Sequence, residues 1–197
     1  MKFKLGLTGS IGMGKSTTAK MFADAGCVVW DADAAVHRLY TAGGAAVAPL
    51  GALFPHAIKD GAVSRTALRE IIATNTSALS EIEAVVHPLV QKDRETFIAE
   101  NPDAIGVFDI PLLFETGGDA AMDATVCVNV PHETQLVRVL ARGSMTAEDL
   151  TRILERQMPN KEKCARATYV IETDTLEHAR AQVQSVLKDI EQRGHHA

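Results

Sequence analysis

Along this chain, short apolar or β-favouring runs alternate with longer stretches in which apolar residues recur every three or four positions. The runs fall at 3–8, 27–31, 104–110, 125–130 and 167–172. Runs with little alternation are what strands buried on both faces of a parallel sheet require. Helical spacing occupies 17–25, 33–40, 64–72, 131–141, 147–158 and 176–193. Local signals mark the ends: Asp33 is placed to cap the second helix and Gly43-Gly44 to stop it, while Ser64, Ser80-Glu81-Ile82-Glu83 and Thr146-Ala147-Glu148-Asp149 open later ones. Residues 45–54 are small and apolar, and 55–61 form a turn that is tightest at Asp60-Gly61. At His87-Pro88 the missing N–H predicts a kink or a new helix. Pro159 is expected to stop the helix that begins near 147. About 70 residues separate the second strand from the third, far more than a crossover needs, which predicts a helical insertion over 32–101. The pattern as a whole predicts an α/β protein with a doubly wound, five-stranded parallel sheet.

The sharpest chemical signal lies where the first strand meets the first helix. Gly9-Ser10-Ile11-Gly12-Met13-Gly14-Lys15-Ser16, with Thr17 behind it, fits G-x-x-x-x-G-K-[ST] in the strand–loop–helix context that this motif needs. Its glycines let consecutive N–H groups converge on a phosphate at a helix N-terminus. Lys15 then reaches the β- and γ-phosphates of a nucleotide, and the Ser16 hydroxyl can ligate Mg²⁺. Asp109 ends a buried strand, where it either joins Ser16 beside Mg²⁺ or caps a turn. Arg138, Arg142, Arg152, Arg156 and Arg166 cluster in one stretch, two pairs at i,i+4 spacing, and as a group they suit a lid over a transferring phosphoryl group. Individually each suits a solvated face. Asn160-Lys161-Glu162-Lys163 lacks the aspartate and the strand that guanine reading requires. His37 and His87 either meet an anionic substrate or are simply packed or solvated.

Composition narrows the classes. With 197 residues, 46% of them hydrophobic, the chain can bury one sizeable core and an appendage. A net charge of -5 argues against a surface built for nucleic acid or anionic lipid, and no apolar run approaches membrane-spanning length. Cys27, Cys127 and Cys164 stand far apart, as core residues in a reducing cytosol would. The first strand starts almost at once, so Lys2 and Lys4 do not front a signal peptide and a cytoplasmic location is expected. No obligate protein partner is evident. Three readings stay open on these grounds: a kinase for a large acceptor, a nucleoside monophosphate or shikimate type of kinase, and a nucleotide-dependent switch. The long insertion after Asp33 favours the first, and the missing guanine-reading residues weigh against the last.

Taken together, Leu7 to Thr17, Asp31-Ala32-Asp33, Leu68-Arg69, His87-Pro88, Pro111-Leu112-Leu113-Phe114-Glu115 and Arg156-Gln157 resemble the dephospho-CoA kinase family in order and spacing over nearly the whole chain. The resemblance implies an adenylate-kinase-like P-loop fold with three parts: a nucleotide core (1–31, 102–138 and 164–197), a helical CoA domain (32–101) and a lid (139–163). It implies ATP- and Mg²⁺-dependent phosphorylation of the ribose 3′-hydroxyl of dephospho-CoA, the last step of coenzyme A synthesis. By matching position, Gly12, Met13, Gly14, Lys15, Ser16 and Thr17 form the ATP loop and Asp33 is the base. His87 and Leu112 lie on the acceptor side, and Arg142 and Arg156 on the lid side, with Arg142 and Lys15 taking part in catalysis. Two places differ from the family's usual pattern, Ala167-Thr168 before the fifth strand and Glu172-Thr173 after it.

Overall fold

The computed structural model describes residues 1–141, 143, 145–155 and 157–194, which divide into two compact units: Met1–Val29 with Asn101 onward, and Trp30–Glu100. In chain order, the sheet strands are β1 (Phe3–Thr8), β2 (Val28–Asp31), β5 (Ile105–Asp109), β6 (Ala124–Asn129) and β7 (Tyr169–Glu172), arranged β2-β5-β1-β6-β7. β1 runs parallel to β5 and β6, and β6 parallel to β7, as buried apolar runs joined by helices demand. The core of the first unit gathers Leu5, Leu7, Val107, Val126, Val128 and Ile171 from the strands. Helix α1 (Lys15–Asp24) adds Phe22, and α9 (Leu176–Gly194) adds Val183 and Ile190. The expected doubly wound sheet is what forms.

The second unit is helical, apart from one short hairpin. It holds α2 (Ala32–Tyr40), α3 (Val47–Leu53), strands β3 (Ile58–Lys59) and β4 (Ala62–Val63), α4 (Arg65–Thr74) and α5 (Ala78–Glu100). Leu39, Leu50, Leu68, Ile82 and Val86 form its core. At the rim Asp93 accepts from Trp30 Nε1 at 2.8 Å and from Arg38 Nη2 at 2.6 Å, which ties α2 to α5. Ser64 caps α4 as expected, accepting from the Ala67 amide. The turn at Asp60-Gly61 closes the hairpin with both residues at positive φ (51° and 74°), a two-residue type that matches strand twist.

Four local expectations are corrected. Asp31, not Asp33, caps α2: its backbone is still extended and its carboxylate accepts from the Ala34 amide at 2.9 Å, leaving Asp33 inside the first turn. Pro88 neither breaks nor restarts α5. Only the bond to the Ala84 carbonyl is lost, and both residues lie on the exposed face, where water can replace it, while Ile82 and Val86 anchor the helix. That helix starts earlier than the Ser80 signal suggested, with Ser77 Oγ donating to Glu81 at 2.6 Å. Finally, α6 (His132–Ala141) and α7 (Ala147–Glu155) are followed by a separate α8 (Asn160–Arg166), opened by Pro159. α7 ends at Glu155, short of Pro159, and the proline expected to stop it stands instead at the N-cap of α8.

Candidate active site

The loop after β1 turns through Gly12 (φ 79°) and Gly14 (φ 92°). A Cβ on Gly12 would come within 2.6 Å of Val139, and one on Gly14 within 2.8 Å of the Thr173 hydroxyl, so both positions need glycine for space as well as for backbone angle. Gly14 is the N-cap of α1 and no side chain caps it, so the first-turn amides are offered to an anion. Met13 is buried, which leaves its backbone as the part able to serve a ligand, whereas Ser16 and Thr17 are exposed.

Three side chains from later in the chain hold this loop. Buried Gln135 of α6 donates to the Ile11 carbonyl at 2.8 Å, the Thr173 hydroxyl donates to the Met13 carbonyl at 2.7 Å, and Asn160 Oδ1 accepts from the Ser10 amide at 3.0 Å. Arg138 in turn donates to the Thr173 hydroxyl at 3.1 Å and to its carbonyl at 2.6 Å. A cavity of about 350 Å³ opens beside the loop, lined by Gly12, Gly14, Thr17, Arg138, Thr173 and Leu176 among others.

Lys15 makes an ion pair with Asp109, whose carboxylate is 2% exposed at the end of β5. The carboxylate expected near a metal therefore holds the phosphate-loop lysine. A hydroxyl on Ser16 and a carboxylate on Asp109 are hard oxygen donors of the kind Mg²⁺ takes, so the residues present fit that ion. Just beyond Asp109, the Pro111 carbonyl accepts from Thr8 Oγ1 at 3.0 Å and from Lys163 Nζ at 2.9 Å. Leu113 and Phe114 are buried there, and Leu112 is 40% exposed.

A family model described as dephospho-CoA kinase matches residues 3–178. The chain belongs to the dephospho-CoA kinase family. A dephospho-CoA kinase from Ruegeria pomeroyi is 62% identical over the full length of both chains. One from a Jannaschia species is 60% identical over 96% of this chain and 98% of its own. Among solved structures, a Thermus thermophilus protein superposes with a TM-score of 0.84 at 33% identity, covering 95% of this chain and 97% of its own. A Campylobacter jejuni dephospho-CoA kinase gives 0.71 at 23% identity, over 95% and 96%, and shares the fold.

In the helical unit Asp33, His37 and His87 are all exposed. Three of the five arginines are described: Arg138 supports the phosphate loop, Arg152 lies 3.7 Å from Asp149, and Arg166 pairs with Asp119 and stacks 4.7 Å from the Phe114 ring. Arg142 and Arg156 lie outside the described residues. Cys27 and Cys127 are buried and Cys164 is partly exposed, all as free thiols. Burial pushes the Cys27 thiol up to about 11 and Cys127 higher still. No helix among the described residues is long and apolar enough to cross a membrane.

Sequence reasoning had passed over Gln135, Thr173, Asn160 and Lys163. Gln135 and Lys163 were hidden because polar types read as surface. The other two stood in view: Thr173 is where the chain departs from the family's usual residues, and Asn160 opens the segment set aside as a failed guanine signature.

Proposed function

We propose that this chain transfers the γ-phosphoryl group of ATP to the ribose 3′-hydroxyl of dephospho-CoA, giving coenzyme A and ADP. The observation that carries the reading is the phosphate loop itself: an uncapped α1, glycines with no room for a side chain, and Lys15 held ready at Asp109, in a chain that matches its relatives end to end. Lys15 moves from Asp109 to the β- and γ-oxygens when nucleotide binds, exchanging one anion for another. Ser16 and Asp109 would hold Mg²⁺, which supplies positive charge to the phosphates. The cavity beside Arg138 and Thr173 takes the purine base.

Asp33 is the acceptor's base. Its exposed carboxylate is not engaged in capping, because Asp31 does that work, and it sits in the first turn of α2. A ribose hydroxyl is a poor nucleophile at neutral pH, and a carboxylate that takes its proton as the P–O bond forms removes that obstacle. His87 and Leu112 bind the acceptor, both being exposed and so open to a ligand. Arg142 and Arg156 belong to a lid that neutralises charge in the transition state, so Arg142→Ala or Arg156→Ala lowers turnover more than ATP affinity. The cytoplasm is the expected location. To test the function, purified protein is given Mg-ATP with dephospho-CoA, AMP, shikimate or water, and ADP release is followed. Rapid release with dephospho-CoA alone supports the reading, and equal release with every acceptor contradicts it.

A further inference from the structure

Lys163 is 0% exposed, and it and Asp109 are the two buried charged side chains among the described residues. Asp109 has an evident use at the phosphate loop. Lys163 touches neither that loop nor Asp109 among its ion pairs, yet a buried ammonium is costly unless its partners are firmly held. Those partners all come from one loop: Glu115 Oε1 at 2.8 Å and the Pro111 carbonyl at 2.9 Å. Glu115 is fixed in turn by the Met158 amide at 3.0 Å, two residues before α8. One turn further along α8, Arg166 pairs with Asp119 at 3.3 Å and lies over Phe114. The C-terminal part of α8 therefore grips residues 111–119.

The other end of the same seven-residue helix grips something else. Asn160 accepts from the Ser10 amide and donates to the Val128 carbonyl at 3.1 Å and to Asn129 Oδ1 at 2.9 Å. Between the two grips, Cys164 Sγ lies 3.4 Å from Cys127 Sγ, seating the helix on β6. Thr8, the last residue of β1, donates to the same Pro111 carbonyl that Lys163 holds. Phosphate loop and 111–115 loop are thus linked twice, through the end of β1 and through α8.

We propose that α8 is a brace that fixes the phosphate loop and the 111–115 loop at a set spacing, with Asn160 the positioning residue for the nucleotide side and Lys163 the positioning residue for the acceptor side. Neither touches the reacting atoms. Lys163 acts through Pro111 and Glu115, hence on Leu112 and on the backbone two residues after Asp109. The assignment of 111–115 to the acceptor rests on the function proposed above. Two ends of one rigid element should then be separable in kinetics, which a merely structural helix would not allow.

The test uses the full-length protein with Lys163→Met and Asn160→Ala, assayed well below each melting temperature. Lys163→Met is expected to raise the dephospho-CoA KM or lower kcat by about tenfold or more, since small misplacements of a bound reactant carry penalties of that size, while the calorimetric Kd for ATP stays within about threefold. Asn160→Ala is expected to do the reverse, weakening ATP and sparing the acceptor KM. Should Lys163→Met not fold, Arg166→Ala, whose side chain is 45% exposed, probes the same grip and should raise the acceptor KM with ATP binding unchanged. Equal effects of both changes on both ligands, or lower melting temperatures with unchanged constants, overturn the brace. If the unaltered protein does not phosphorylate dephospho-CoA, it is the functional reading that fails. The brace is then judged on ATP affinity, which Asn160→Ala should lower and Lys163→Met should not.

Discussion

The two units solve the problem of placing polar groups in opposite ways. Apart from the amphipathic Trp30 and Tyr40, every polar or charged side chain that is buried among the described residues, from Thr8 and Ser10 through Asp109 and Gln135 to Lys163 and Thr173, belongs to the unit that carries the phosphate loop. The helical unit buries no others among the described residues: the rest of its core is apolar, and Asp33, His37 and His87 are exposed. Burial fixes a side chain to within a fraction of an ångström but couples its chemistry to the stability of the fold. Exposure leaves the chemistry free of the fold, with position supplied by the ligand. A loop that must cradle phosphates suits the first arrangement and, on the function proposed above, a surface that receives a large acceptor suits the second.

The largest expected effect breaks this contrast on the buried side. Lys15→Ala removes an electrostatic donor to the transferring group, worth about 3 kcal/mol or more in the transition state. It also strips a buried carboxylate of its lysine, and that too costs stability, on the order of 3 kcal/mol. Turnover and melting temperature should fall together. Lys15→Met combined with Asp109→Asn should recover most of the stability and none of the transfer.

Next comes the exposed side. Asp33→Asn should slow transfer at least about a hundredfold, the lower range for a general base, with the melting temperature unchanged because the cap is Asp31. Asp31→Ala should show the converse, about 1 kcal/mol less stability from a lost cap and a smaller loss of rate.

A smaller effect appears in acid. Burial acts to raise the carboxyls of Asp93 and Glu115, yet both lie below their ordinary values because hydrogen bonds outweigh it: from Arg38 and Trp30 at Asp93, from Lys163 and the Met158 amide at Glu115. A carboxyl depressed on folding stabilises the protein above its unfolded value and loses that contribution as pH falls through the folded one. Both contributions are therefore present at neutral pH and fade below about pH 4. Asp93→Asn should lower stability at pH 7 by about 1 kcal/mol and flatten the fall of melting temperature between pH 5 and pH 2. The smallest effect is expected at Arg152, 71% exposed beside Asp149. Arg152→Ala should change neither turnover nor melting temperature, and a clear loss of turnover would return it to the lid.

What the sequence made legible follows the same division. The phosphate loop and β1 could be placed because glycine spacing and an apolar run are local signals, and the fold class followed from runs separated by helices. The end of β2 was harder. Asp31 and Asp33 are equally good caps by type, and only the point where the strand stops decides between them. Pro88 misled for a related reason, since what a proline costs depends on which face of the helix it occupies. Lys163 and Gln135 were illegible in principle. Nothing in residues 160–166 announces that a lysine among charged neighbours is buried, because its partners, Pro111 and Glu115, lie some fifty residues earlier.

The reaction is defined by where the phosphoryl group ends up, and the product itself records that. Phosphorus NMR of the reaction of Mg-ATP with dephospho-CoA, followed by proton correlation to the ribose, reads it directly. The expected products are ADP and one new phosphomonoester coupled to the proton on ribose carbon 3′. A phosphomonoester at any other position, or inorganic phosphate with unchanged dephospho-CoA, would contradict it.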